Sequence, residues 1–280
     1  MNKINIYAFA DEASPHIDEQ ITALKRNGLN GLEIRNVDGV NVSDITTEKA
    51  KEVKRKLQEN GLITWSVGSP IGKIDIEKDD WGTHIDKLKH TLEIASILES
   101  KNIRMFSFYI PEGKEAELYK SEVIDRLGQM CEIAKKYNVF LCHENEKGIY
   151  GDIPERCLEI HKALPELKGI FDPANYVQSG ADTLKAWELL KDYIYYMHIK
   201  DSKTNGTVVP AGLGDGNVYE IVSAFIAGGR NTFTIEPHLT VFEGLANLER
   251  SGEKSEISEF GYSDSDTAFD AACNAFKKLV

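Results

Sequence analysis

The decapeptide HENEKGIYGD, residues 143–152, places His143, Glu144 and Glu146 within four positions, directly behind the apolar run VFLC. Three other apolar runs close in a similar way: on FDPAN around Asp172, on HIKD around His198 and on EPH around Glu236. Two glutamates, one aspartate and one neutral histidine make a mainly oxygen donor set with room for water or substrate oxygens. Such a set suits Mn2+, Mg2+ or Co2+ better than a structural zinc, which prefers Cys and His. Glu144, Asp172, His198 and Glu236 are therefore expected to hold one divalent ion, Mn2+ ahead of Mg2+, Co2+ or Zn2+. Each residue alone has a plainer use. Asp172 can cap the turn before Pro173, and His198 can be a satisfied core histidine. Four such groups at four successive strand ends are a much rarer coincidence.

The elements that must position these residues show as a repeated pattern, a short apolar run followed by a charged amphipathic stretch. The runs span residues 4–10, 31–35, 62–68, 103–109, 139–144, 168–173, 195–201 and 232–238. Between them apolar residues recur three and four apart, the period of a helix with one buried face. Asn-Gly at 27–28 and 60–61 and Ala-Gly-Gly at 227–229 punctuate helix ends before the next run. Eight strand–helix alternations predict an α/β chain folded as a single (β/α)8 TIM barrel, one domain over residues 1–280. A long nonperiodic loop is expected at about 239–263, after the eighth strand. A doubly wound sheet is the other α/β option, but no GxGxxG follows the first strand. In a barrel, all eight strand ends with the same polarity open onto one face, and the active site lies there.

Composition narrows the partners. The 280 residues hold 33 Lys and Arg against 45 Asp and Glu, a net charge of −12. That balance disfavours nonspecific binding to nucleic acid or anionic membranes. No apolar run is long enough to span a bilayer, and the first residues lack the signature of a secretory leader. Cys131, Cys142, Cys157 and Cys273 form no CxxC pair, so reduced thiols in a cytoplasmic protein are expected. The expected partner is a small carbohydrate, with no nucleic acid and no membrane; a homo-oligomer remains open.

The ordered set Glu, Asp, His, Glu, within CHENEKG, FDPANYVQSG, YMHIKDS and TIEPH, resembles the xylose isomerase-like barrels, often named sugar phosphate isomerases/epimerases. LEIR on the second strand and GLGDGNVYEIV add to the resemblance, which covers nearly the whole chain. It is specific for superfamily and weak for substrate. It implies metal binding by Glu144, Asp172, His198 and Glu236. It also implies that Glu144 and Glu236 flank the reacting carbons and act as base and acid. Proton transfer beside a carbonyl needs a base on one face and charge stabilisation for the enediolate. Carboxylates on opposite faces allow inversion; one on a single face favours aldose–ketose isomerisation. Some epimerases carry a His three residues after the sixth-strand Asp, where this chain has Asn175. Asparagine can bind a hydroxyl but cannot act as an acid or base near neutral pH. His143, Glu146 and His238 are the candidates for that work, and His143 joins the two glutamates as a catalytic candidate. Strand alternation puts Glu144 and Glu146 on one face and His143 on the other, so His143 reaches the site only if the chain turns there.

Substrate contacts are expected from Arg35, Lys73, Arg104, Asn175, Lys200, Glu146 and His238. The four basic residues could form a cationic wall for a phosphate or carboxylate. Alternatively, Arg35 and Arg104 pair with core-edge carboxylates such as Glu12 or Glu33. Trp65, Phe106, Phe108 and Tyr109 are divided between stacking on a sugar and packing the core. GLGDG at 212–216 lacks the Lys-Ser/Thr of a P-loop and reads as a turn or mobile loop. The leading function is a metal-dependent sugar isomerase or epimerase. Alternatives are β-elimination from a keto-sugar or keto-inositol, as in inosose dehydratase-like members, and a non-catalytic sugar-binding barrel. An AP endonuclease would need histidines on the third and fourth strands, which end in WSVGSP and FSFY.

Overall fold

A computed structural model describes residues 3–242 and 261–280. Most of the long segment expected after the eighth strand lies outside the described residues. Eight parallel strands close into one barrel. They are β1 (Asn5–Ala8), β2 (Gly31–Ile34), β3 (Ile63–Val67), β4 (Asn102–Met105), β5 (Phe140–Glu144), β6 (Lys168–Phe171), β7 (Ile194–Ile199) and β8 (Thr232–Ile235). Neighbours around the barrel follow chain order, and β1 closes on β8 with Asn5 opposite Thr232 and Ala8 opposite Ile235. This is the (β/α)8 barrel that the alternation of patterns predicts.

Helices cover the outside, and their sequences explain why. Helix α1 (Ile17–Arg26) and helix α2 (Thr47–Glu59) each bury one stripe, Ala50, Val53 and Leu57 in the second. Thr46 caps α2 by accepting the Lys49 backbone N–H at 3.1 Å, satisfying one of the donors left free at a helix start. Gly28 and Gly61, both at positive φ, follow these two helices and turn the chain into the next strand. Gly31 then lets β2 lie close to β3, because a Cβ there would fall 2.0 Å from the Ile63 carbonyl oxygen.

Three features at the site end of the barrel escaped the sequence pattern. Asn36–Val37 pairs with Val40–Asn41 in a small hairpin after β2, and Asp201–Ser202 pairs with Val208–Val209 after β7. A short helix, Pro173–Gln178, starts immediately behind β6. The GLGDG segment is a tight turn. The backbone N–H groups of Gly212, Gly214 and Gly216, with that of Ser202, donate to the Asp201 carboxylate at 2.9–3.0 Å. A Cβ at Gly214 would lie 2.3 Å from an Asp201 oxygen, so the carboxylate fits only against glycine. The four cysteines are free and buried. Among the described residues no helix is long and apolar enough to cross a membrane.

Candidate metal centre

Glu144 closes β5, and His198 lies on β7; Asp172 and Glu236 directly follow β6 and β8. Each is the polar residue that meets the open end of the barrel where an apolar strand runs out. One ligand atom from each lies within 4.8 Å of the others, and all four residues are buried. His198 sets the orientation. Its Nδ1 stands 2.8 Å from Glu144 Oε1 and 3.4 Å from Glu236 Oε2, so this nitrogen faces the cluster. Its Nε2 lies 3.1 Å from Glu33 Oε2 on the opposite side of the ring. Glu33 is fully buried on β2, and its other oxygen accepts the hydroxyls of Tyr196 at 2.9 Å and Ser66 at 3.2 Å. A carboxylate behind a ligating imidazole fixes the tautomer and raises the basicity of the nitrogen that meets the metal.

Arginines hold the outer oxygens of both glutamates. Arg104 Nη1 donates to Glu144 Oε2 at 3.2 Å, and Arg35 Nη1 to Glu236 Oε1 at 3.4 Å. The Phe9 ring packs against both guanidinium groups, at 4.5 and 4.8 Å, and meets His198 edge-on. Arg35 also binds Asp11 through two bonds, at 2.8 and 3.2 Å, and Glu12 at 3.0 Å. Lys200 Nζ stands 3.0 Å from Asp172 Oδ2 and 3.5 Å from Glu236 Oε2. Its approach to Asp172 lacks hydrogen-bond alignment, so this buried oxygen accepts no hydrogen bond among the described residues. Asp172 Oδ1 meanwhile caps the short helix by accepting the Asn175 backbone N–H at 2.9 Å.

Charge and burial set the protonation of the cluster. Burial alone raises Glu144, but His198 and Arg104 outweigh it and hold the carboxyl at about 2. Burial opposes ionisation of Glu236 as well, yet Lys200, His238 and His198 keep it well below the usual carboxylate range. Asp172 goes the other way, because burial pushes it up to about 7 despite Lys200. Burial lowers His198, but Glu144 and Glu33 overturn that and lift it well above its ordinary value. A proton on Nδ1 would therefore compete with any cation the cluster held. Glu12 is pushed up to about 8 by burial, against the pull of Arg35.

The donor set fits a divalent ion. Asp172 is the clearest sign, with one oxygen used as a helix cap and the other buried 3.0 Å from the Lys200 ammonium without an aligned hydrogen bond. A buried carboxylate oxygen with acceptor capacity to spare is one that a cation would satisfy.

The remaining sequence-derived residues divide. Arg35, Arg104 and Lys200 touch the cluster. Lys73 pairs with Glu146 at 2.8 Å and lies over the Phe106 ring at 4.5 Å. His238, at a left-handed φ of 45°, presents Nε2 3.4 Å from Glu12 and 3.5 Å from Glu236, with its ring stacked on Phe242. Asn175 gives its amide N–H to the Asn145 carbonyl at 2.8 Å, while the Asn145 side chain spans the Asp172 backbone at 3.0 Å on both its N–H and C=O. The asparagines thereby lock the ends of β5 and β6 together. His143 lies apart from the cluster. Its Nε2 is 3.0 Å from Ser107 Oγ, its ring sits by Gly151 and His161, and burial lowers it to about 3. Trp65 stacks on Tyr7 and meets Tyr195 and Tyr196, as a packing residue does. Glu33 and Asp11 are site residues that sequence reasoning did not place there. A glutamate inside the fully buried strand GLEI, in phase with Arg35, was the available signal for Glu33.

A family model described as xylose isomerase-like TIM barrel matches residues 21–251. A 3-dehydroshikimate dehydratase from Bacillus anthracis is 21% identical over 226 residues, covering 80% of this chain and 75% of that protein. Among solved structures, the probable 3-DHS dehydratase AsbF from Bacillus anthracis superposes with a TM-score of 0.74 at 16% identity, over 98% of this chain and 99% of its own. IolI protein with a bound zinc atom gives 0.74 at 16% identity, over 99% and 98%. D-psicose 3-epimerase with D-tagatose, from Clostridium cellulolyticum H10, gives 0.73 at 14% identity, over 99% and 98%.

Proposed function

The chain belongs to the xylose isomerase-like TIM barrel family, and from that premise we propose that it is a divalent-metal-dependent isomerase or epimerase of a sugar or sugar derivative. The observation that carries the reading is the buried Glu144, Asp172, His198 and Glu236 cluster with its unbonded Asp172 oxygen. These four residues would hold the ion. When bound, it would supply Lewis-acid stabilisation of the enediolate.

The rest of the chemistry falls to side chains. Glu144 and Glu236 come from the ends of β5 and β8, three strands apart around the barrel, and are both kept ionised, so either can take a proton from the carbon beside a carbonyl. The C–H electrons move to the carbonyl oxygen, giving an enediolate. Inversion then requires the other glutamate, once it has taken up a proton from solvent, to protonate the opposite face, while the first glutamate loses its proton to solvent. Return of the abstracted proton by the same glutamate to the neighbouring carbon, with a proton passing between the two enediolate oxygens, exchanges aldose and ketose. Lys200 stands where it can donate a hydrogen bond to a substrate oxygen beside Asp172 and Glu236. Arg35 and Arg104 hold the two glutamates in register.

A second reading is β-elimination, favoured by the sequence relative named as a dehydratase and by Glu12. Lifted to about 8, Glu12 carries a proton at neutral pH and stands beside His238, so it could protonate a departing hydroxyl. Incubation with Mn2+ and candidate ketoses in D2O tests both. Deuterium entering next to the carbonyl with otherwise unchanged mass supports isomerase or epimerase; loss of water supports elimination. No exchange with any candidate by protein carrying one metal ion per chain would count against the proton-transfer reading.

A further inference from the structure

We infer that the protein carries a second divalent-cation site, formed by Glu12, Glu236 and His238 between β1 and β8, beside the four-residue cluster and sharing Glu236 with it. Glu12 ends the short helical turn behind β1 (Ala10–Glu12), and Glu236 and His238 follow β8, the strand that pairs with β1. One ligand atom from each of the three lies within 4.8 Å of the others. Glu12 is 2% exposed, Glu236 3% and His238 9%.

The His238 ring is the observation that points to an ion. Its Nε2 is buried and makes no hydrogen bond among the described residues. It nevertheless faces two carboxylate oxygens, Glu12 Oε1 at 3.4 Å and Glu236 Oε1 at 3.5 Å. Burial above all, with Lys200, Arg35 and Lys73, outweighs Glu236 and keeps the imidazole neutral, so no ion pair holds the three groups together. Donors about 2.1 Å from a tetrahedral ion stand ~3.4 Å apart, and both nitrogen–oxygen separations match that spacing. The donors are also fixed from behind. Arg35 donates to both Oε1 atoms, Nη2 to Glu12 at 3.0 Å and Nη1 to Glu236 at 3.4 Å, and each oxygen keeps a second lone pair. Asp11 binds Arg35 through two bonds and offsets its charge. Glu12 Oε2 accepts the His238 backbone N–H at 2.6 Å, and Phe242 stacks on the ring 14° from parallel.

One imidazole and two carboxylates, with a fourth position open, form a donor set that suits Zn2+. Glu236 turns Oε2 to His198 and Lys200 and Oε1 to His238, so each oxygen can serve a different ion. A carboxylate bound at both oxygens cannot take a proton from carbon. On the proton-transfer reading, zinc in the second site therefore silences Glu236, and excess zinc inhibits.

Titration of metal-free protein with Zn2+ against a chromophoric chelator tests the site, with circular dichroism to check each fold. Wild type should bind two zinc ions per chain. His238→Ala and Glu12→Gln should each hold one, the second ion binding at least ~100-fold more weakly, beyond the ~10–100-fold seen when an outer partner is lost. Asp172→Asn weakens the four-residue cluster and should keep the second-site ion. A wild type that binds one ion, retained in His238→Ala and lost in Asp172→Asn, overturns the inference and leaves the four-residue cluster standing. One ion lost in His238→Ala and retained in Asp172→Asn supports it and removes the four-residue cluster instead. Two ions in both His238→Ala and Glu12→Gln, or none in wild type, also overturn it.

Discussion

Replacing Glu33 by Gln would test how much of the metal site is built behind its ligands. The wild-type carboxylate lies 3.1 Å from His198 Nε2 and is itself held by Tyr196 and Ser66. Glutamine keeps the length and lets its amide oxygen accept from Nε2–H, while the two hydroxyls rotate to accept from the NH2 group. Shape is preserved and the charge is lost. A hydrogen bond to a charged partner is worth about 1.5–3 kcal/mol and a neutral one about 0.5–1.5. The difference, roughly 1–1.5 kcal/mol, corresponds to about a tenfold loss of metal affinity, at the lower end of the ~10–100-fold seen for such outer partners. Glu33→Ala leaves Nε2–H buried and unpaired and should lose closer to ~100-fold. Competition between protein and a chelator for Mn2+ at pH 8 gives the affinity, and circular dichroism checks the fold. An intact Glu33→Gln variant that binds Mn2+ within about twofold of wild type would refute the assignment of His198 Nδ1 to the metal and Nε2 to Glu33.

Three other outcomes are expected. Glu236→Gln should lower kcat by roughly 10^2–10^4 while the thermal midpoint stays near wild type; near-normal turnover would remove Glu236 from the proton transfer. His84 Nε2 accepts the Gly72 N–H at 2.9 Å, and burial, with Lys87 nearby, lowers the imidazole to about 4. Between pH ~6.5 and 4 the unfolded chain binds a proton that folded His84 refuses, so stability falls as pH falls. His84→Gln should flatten that part of the denaturation profile, and an unchanged slope would contradict the burial of a neutral ring. Asp201→Asn keeps one acceptor oxygen for four backbone N–H groups and turns an NH2 toward the others, so urea unfolding should show a loss of about 2 kcal/mol or more.

What could be read in advance followed from position. The barrel was legible because each strand is an apolar run, several of them behind helix-ending glycines or asparagines. Six of the eight observed strands fall inside the expected runs, with β4 and β7 starting one residue earlier at Asn102 and Ile194. Glu144, Asp172, His198 and Glu236 could be picked out because each stands where such a run ends. Glu33 could not, since it lies inside a strand, and its use depends on His198, 165 residues away along the chain. The turn around Asp201 was hidden for the same reason: GLGDG reads as loose until the carboxylate that organises it is brought alongside. The two hairpins have strands of two residues each, too short to show a period. Alternation did place His143 opposite Glu144, and the ring indeed turns toward Ser107 rather than the cluster.

All four members of the cluster come from the second half of the barrel, β5 to β8. Asp11, Glu12, Glu33, Arg35, Lys73 and Arg104, which set the charge around them, come from the first. The second half is thus oriented by the first, since Glu33 stands behind His198, Arg104 behind Glu144 and Arg35 behind Glu236. Recombining first halves among related barrels should keep the cluster in place only where these three side chains travel with it.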